Sequence, residues 1–68
     1  MARTELDDGY RFELERRDGL IEMIGRFIEN ERKCCPFFDF DLRVPATGSL
    51  ALTITGPEGA KAILSGSA

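Results

Sequence analysis

Cys34 and Cys35 stand side by side in the stretch Glu31-Arg32-Lys33-Cys34-Cys35-Pro36-Phe37-Phe38, and they are the chain's 2 cysteines. With 0 histidines in the sequence, the pairing of a thiol with an imidazole base used by thiol hydrolases is out of reach. The spacing is not the Cys-X-X-Cys of dithiol redox enzymes either. A non-catalytic role is expected. A disulfide between neighbours is poor geometry. Adjacent Cα atoms lie about 3.8 Å apart, below the usual disulfide range of about 4.4–6.8 Å. Such a bond would close no useful chain loop. Adjacent thiols are better suited to holding a soft ion, because thiolates select soft metals and two sulfurs favour low coordination numbers. Hg(II), Cu(I) and As(III) fit better than Zn(II), which takes four ligands in structural sites. A dimer supplying four thiols would bring zinc back. The alternative is that both cysteines are small buried hydrophobes with no chemistry.

The elements around the pair decide how it is presented. Leu20, Ile24, Phe27 and Ile28 recur at spacings of three and four, with Ile21 and Met23 widening the stripe. This predicts an amphipathic helix of about four turns, with Asp18 as its N-cap. Pro36 biases Cys35 out of the α region, so the helix should end near Cys34. Seven residues beyond Ile24, Phe27 and Ile28 come Glu31, Cys34 and Cys35. Glu31 then lies on the apolar side, one turn before both thiols. A carboxylate there needs a partner, which makes Cys34, Cys35 and Glu31 the candidate metal residues. The plainer reading of Glu31 is a helix-end acid paired with Arg32 or Lys33. Those two cations would help hold a thiolate, while the helix C-terminus works against it. Phe37 or Phe38 would shield the group. Gly25, inside the helix, marks either close packing on a sheet or a tolerated exposed glycine.

Strand patterns flank the helix. Tyr10, Phe12 and Leu14 alternate with Arg11 and Glu13, after a polar lead-in over Met1 to Asp8. Phe38, Phe40, Leu42 and Val44 alternate with Asp39, Asp41 and Arg43, and Leu50, Leu52 and Ile54 alternate with Ala51 and Thr53. Each reads as a half-buried strand, the last two joined through Pro45-Ala46-Thr47-Gly48-Ser49 as a hairpin. Gly56-Pro57-Glu58 suits the start of a second helix, with Ala60, Ile63 and Leu64 on its inner edge. The expected fold is α+β, a two-layer β-α-β-β-α arrangement resembling a truncated ferredoxin-like fold. It has a three-stranded sheet, the last strand central, and two helices on one face. Strands one and two run parallel through a right-handed crossover. The core is then Tyr10, Phe12, Leu14, Leu20, Ile24, Phe27, Ile28, Phe38, Phe40, Leu42, Leu50, Leu52, Ile54, Ile63 and Leu64. Asp39, Asp41, Arg43, Thr53 and Thr55 face water. The open sheet edges invite a homodimer or another protein partner.

With 68 residues and 43% apolar content, one domain over residues 1–68 is expected, too well patterned for disorder. A net charge of −3 is the wrong sign for nucleic acid. Arg16-Arg17 lies between Glu15 and Asp18, and Arg32-Lys33 follows Glu31. No apolar run is long enough for a membrane span, and the acidic N-terminal residues are unlike a signal peptide. A cytoplasmic protein with reduced thiols is expected, with neither nucleic acid nor membrane as partner.

The segment Glu31-Arg-Lys-Cys-Cys-Pro-Phe-Phe38, with Phe40 and the later Leu52-Thr-Ile-Thr-Gly-Pro-Glu-Gly-Ala-Lys61, resembles a family of small bacterial proteins patterned E-R-x-C-C-P-F and T-G-P-x-G-A. The resemblance spans residues 10 to 64. Members of that family are uncharacterised, and some accompany regulators and transporters for heavy metals such as mercury. The resemblance implies a soft-metal binding or sensing role for Cys34 and Cys35. Mercury transport proteins also carry vicinal cysteines. This chain lacks their membrane helices, so a transport role does not carry over.

Overall fold

The computed structural model describes residues 2–59. Its elements, in order, are β1 (Ala2–Leu6), β2 (Gly9–Leu14), α1 (Leu20–Cys34), β3 (Asp39–Arg43) and β4 (Leu50–Thr55). The class is α+β: one helix and an antiparallel four-stranded sheet of order β1-β2-β4-β3 among the described residues. As expected from the hairpin and the crossover, β4 sits between β2 and β3.

The sheet has four strands, not three. The polar lead-in is itself a strand, joined to β2 through Asp7 and Asp8 with Leu6 opposite Gly9. Ala2-Arg3-Thr4-Glu5-Leu6 has no apolar period because this edge strand is held by ladder hydrogen bonds, with Ala2 to Glu5 all exposed. Arg3 still contributes packing, its guanidinium 5.0 Å from the centroid of the Tyr10 ring, within cation–π range. The edge of β2 expected to be open is thus paired with β1, and among the described residues the outermost strands are β1 and β3.

Alternation puts Tyr10, Phe12 and Leu14 on the same face as Ile54, Leu52 and Leu50, their partners in register. Phe40 and Leu42 extend this face from β3. Leu20 and Ile24 of α1 close over it, and with Phe38, Leu50, Leu52 and Ile54 they form the buried cluster. Each such side chain, fully buried, contributes about 1.5–3 kcal/mol. Two core assignments need correction. Phe27 remains 41% exposed, because it lies at the margin of the helix stripe and meets the sheet only by an edge-on contact with Phe40. Ala51, on the opposite face, is buried, being flanked in register by Glu13 and Arg43 on the neighbouring strands.

Turn details differ as well. Gly19, not Asp18, is the N-cap of α1, at φ 80° with no side-chain capping bond. Only glycine adopts that left-handed backbone at little cost. Gly25 faces open space, so it is the tolerated exposed glycine. Arg16 donates from Nε to the Gly48 carbonyl at 3.1 Å and from its terminal nitrogen to the Pro45 carbonyl, pinning the loop between β3 and β4. Pro57 does not open a helix. Residues 57–59 are bend and turn, with Gly59 at φ 91°. The rest of the expected second helix, with Ile63 and Leu64, lies outside the described residues. No helix among the described residues is long and apolar enough to cross a membrane.

Candidate functional site

The helix ends where the proline requires. Cys34 is its last residue, and Cys35 is the C-cap at φ −130°, ψ 75°. The Cys35 N–H donates to the Glu31 carbonyl at 2.6 Å, and the Phe38 N–H donates to the Cys35 carbonyl at 3.3 Å. Cys35 therefore closes the helix and opens the tight turn Cys35-Pro36-Phe37-Phe38 that leads into β3. One residue belongs to both hydrogen-bonded turns, so its backbone is held by two elements at once.

Both cysteines are free thiols. Cys34 is exposed, and Cys35 is half-buried, packed against the core cluster. Glu31 is half-buried one turn earlier, as the projected stripe requires. Burial pushes the Cys35 thiol above its ordinary value. A hydrogen bond with the Cys34 side chain, the charge of Cys34 and the charge of Glu31 push it the same way. Cys34 and Glu31 thus both act on the Cys35 thiol. Arg32 and Lys33 are exposed and line a shallow surface pocket with Glu29 and Pro36. They do not deliver the expected help to a thiolate at Cys35, where every acting cause raises the pKa.

Phe38, not Phe37, is the inner aromatic: it is 7% exposed against 42% for Phe37. The rings form a run from the turn to the helix. Phe37 and Phe38 have centroids 4.8 Å apart, Phe38 meets Phe40 edge-on at 6.4 Å, and Phe40 meets Phe27 likewise at 6.4 Å. Edge-to-face pairs of this kind add about 0.5–1.5 kcal/mol each beyond burial. The floor beneath Cys35 is thus apolar and fixed, while Cys34 is presented to solvent. Among the described residues no group of three or more His, Cys, Asp or Glu is arranged to hold a metal ion. The donors on offer are two sulfurs, with a carboxylate nearby.

Sequence reasoning missed a second feature, an apolar groove beside α1, lined by Phe12 and Leu14 of β2 and by Met23 and Phe27 of α1. Its signal was present in the sequence. A stripe that includes Ile21, Met23 and Phe27 as well as Leu20, Ile24 and Ile28 is wider than one sheet contact needs.

The chain matches no protein-family model, and neither the curated proteins nor the solved structures include a significant match to it.

Proposed function

We propose that this protein is a cytoplasmic, non-catalytic module that binds a soft metal ion or metalloid through Cys34 and Cys35. The observation that carries the proposal is the meeting of the two thiols at the helix–strand junction, Cys34 exposed and Cys35 half-buried against the core. Inert thiols used only as packing would both be inside. Two adjacent cysteines, one exposed and the other half-buried against the core, suit an ion that takes two sulfurs, Hg(II) or Cu(I). As(III) would complete its coordination with a third thiol from solution. Glu31 acts from outside the sulfur pair, as an outer ligand or as acceptor of the protons that loading releases. The resemblance to small uncharacterised bacterial proteins, some of which accompany heavy-metal regulators and transporters, would agree with this reading.

Zinc in a dimer is the weaker form of this reading. The cysteine turn enters the N-terminal end of β3. Two-fold antiparallel pairing along the β3 edge would place the two cysteine turns at opposite ends of a five-residue strand, roughly 16 Å apart at 3.3 Å per residue. Four sulfurs about 2.3 Å from one zinc cannot be reached that way.

An interaction module is the second reading. It is favoured by exposed apolar side chains at Ile21, Met23, Phe37 and Val44 and by the two strand edges, β1 and β3, that no other described strand covers. The same reading takes the fold to be a truncated ferredoxin-like two-layer arrangement.

Native mass spectra of the reduced protein with Hg(II), Cu(I), As(III) and Zn(II) in turn test the function. They are recorded under glutathione competition beside a Cys34→Ser/Cys35→Ser variant. One-to-one binding lost in the variant is expected. Binding no tighter than the variant's would sink the metal reading and leave the interaction module.

A further inference from the structure

The thiol donors at the helix–strand junction stop at two. The chain has 2 cysteines and 0 histidines, and Glu31 offers only oxygen, a hard donor that suits soft ions poorly. A ligand matched to this pair has two positions for sulfur and satisfies any third itself. The junction also carries an aromatic side chain left open. Phe37 is 42% exposed. It sits two residues after Cys35, in the turn that the Phe38 N–H closes on the Cys35 carbonyl at 3.3 Å. A four-residue turn of this kind brings its end Cα atoms within about 7 Å. The Phe37 ring centroid is 4.8 Å from that of the buried Phe38, so the core sets where the open ring stands. Hg(II) and Cu(I) are satisfied by two sulfurs and have nothing to lay on that ring. Inorganic As(III) has three positions for sulfur and finds two.

We propose that the ligand class of this site is a mono-organic arsenic(III) compound, RAs(OH)2, bound through the sulfurs of Cys34 and Cys35 with its organic group against the Phe37 ring. The proposal rests on the soft-ion reading of the same two thiols and deepens it. Two As–S bonds form and two As–O bonds break. Each thiol hydrogen leaves with a hydroxide, so two waters are released. Arsenic stays trivalent and keeps its As–C bond, and no oxidant or reductant takes part. Cys35 is covalently next to Cys34, so the second As–S bond closes within one molecule. That gives the pair its advantage over two separate thiols of glutathione. An aryl group adds a ring-to-ring contact with Phe37 that a methyl group lacks.

The probes are phenylarsine oxide, methylarsonous acid and Hg(II), each added to the reduced full chain in millimolar glutathione and followed by native mass spectrometry. For both arsenicals the expected product is a one-to-one adduct whose mass gain is that of RAs less two hydrogens. The phenyl adduct should be held several-fold more tightly than the methyl one. Phe37→Ala should abolish that difference and leave the methyl adduct in place, and Cys34→Ser should leave no two-sulfur adduct of either. Loss of both arsenicals to glutathione while Hg(II) stays bound would overturn this proposal and leave the soft-metal reading standing. Loss of Hg(II) as well would sink both. Phenyl and methyl held equally by the unmodified protein would remove Phe37 from the site and refute the proposal, and that comparison does not depend on a variant folding. A phenyl preference that survives Phe37→Ala would refute it too.

Discussion

The backbone N–H of Cys35 donates to the carbonyl of Glu31 at 2.6 Å. The last helical hydrogen bond and the candidate site are therefore one construction. The residue whose carbonyl terminates the helix carries the carboxylate that acts on the capping thiol. Pro36 forces the helix to stop there, and the stop turns Cys35 toward the core while leaving Cys34 outside.

The first expectation concerns labelling. Cys34 is exposed and Cys35 is half-buried, with its thiol raised above the ordinary value. Only the thiolate reacts. Under limiting iodoacetamide near neutral pH, peptide mass analysis should find Cys34 modified first. Cys35 alkylation should keep accelerating as pH climbs past the usual thiol range of about 8.5. Equal rates at the two sulfurs would contradict the difference in burial.

The second concerns pH and metal. Loading an ion displaces the thiol protons. A raised pKa keeps Cys35 protonated over a wider range, so apparent affinity for Hg(II) or Cu(I) should increase with pH through and beyond the ordinary thiol value. Folding stability should move oppositely. The folded state holds the Cys35 proton more tightly than the unfolded chain does, so stability is full below the ordinary thiol value. It then declines as pH rises towards the raised one. Titrations at stepped pH, with and without metal, separate the two trends.

A third test isolates Glu31. Glu31→Gln removes the charge but keeps the backbone carbonyl that caps the helix. The Cys35 thiol should then titrate lower, towards its ordinary value, because one of the causes raising it is gone. Midpoints from the pH dependence of Cys35 alkylation in the two proteins give the answer. An unchanged midpoint would mean that the carboxylate acts too weakly to serve the site.

The site was legible in the sequence because its signals are local. A proline two residues after Cys34 and a helical period upstream are enough to place Cys34, Cys35 and Glu31 at one helix end. Strands β2, β3 and β4 were legible for the same reason, since each alternates visibly. Strand β1 was not, because Ala2–Leu6 gains its place from ladder hydrogen bonds to β2 and buries no stripe of its own. The cap at Gly19 was hidden behind a better-looking Asp18; a left-handed glycine caps through backbone shape and leaves no side-chain signal. Ala51 is missing from the expected core because alternation says which face a residue takes, not what its cross-strand neighbours cover.

Gly25 offers a test of helix propensity free of packing. A Cβ built there meets nothing within 4 Å, so Gly25→Ala should stabilise the protein by about 0.5–1 kcal/mol. Chemical denaturation should show a higher midpoint at unchanged slope. A loss of stability would mean that the glycine is needed for a contact outside the described residues.

Gly9 should behave in the opposite way. A Cβ at Gly9 would fall on the backbone carbonyl of Ile54 in the neighbouring strand, which no rotamer change can relieve. Gly9→Ala must push β2 away from β4, and overpacking of this kind costs about 1–3 kcal/mol or more. The strain also has a route to the cysteines. Gly9 pairs with Thr55, and Thr55 pairs with Asp39, the residue that follows the Cys35–Phe38 turn. Denaturation of Gly9→Ala should therefore show a lower midpoint, and the protection of Cys35 from alkylation should fall with it. If stability drops while Cys35 stays as slow as before, the turn that holds the thiol is independent of the sheet register. Cys35 would then owe its burial to α1 and the aromatic run alone.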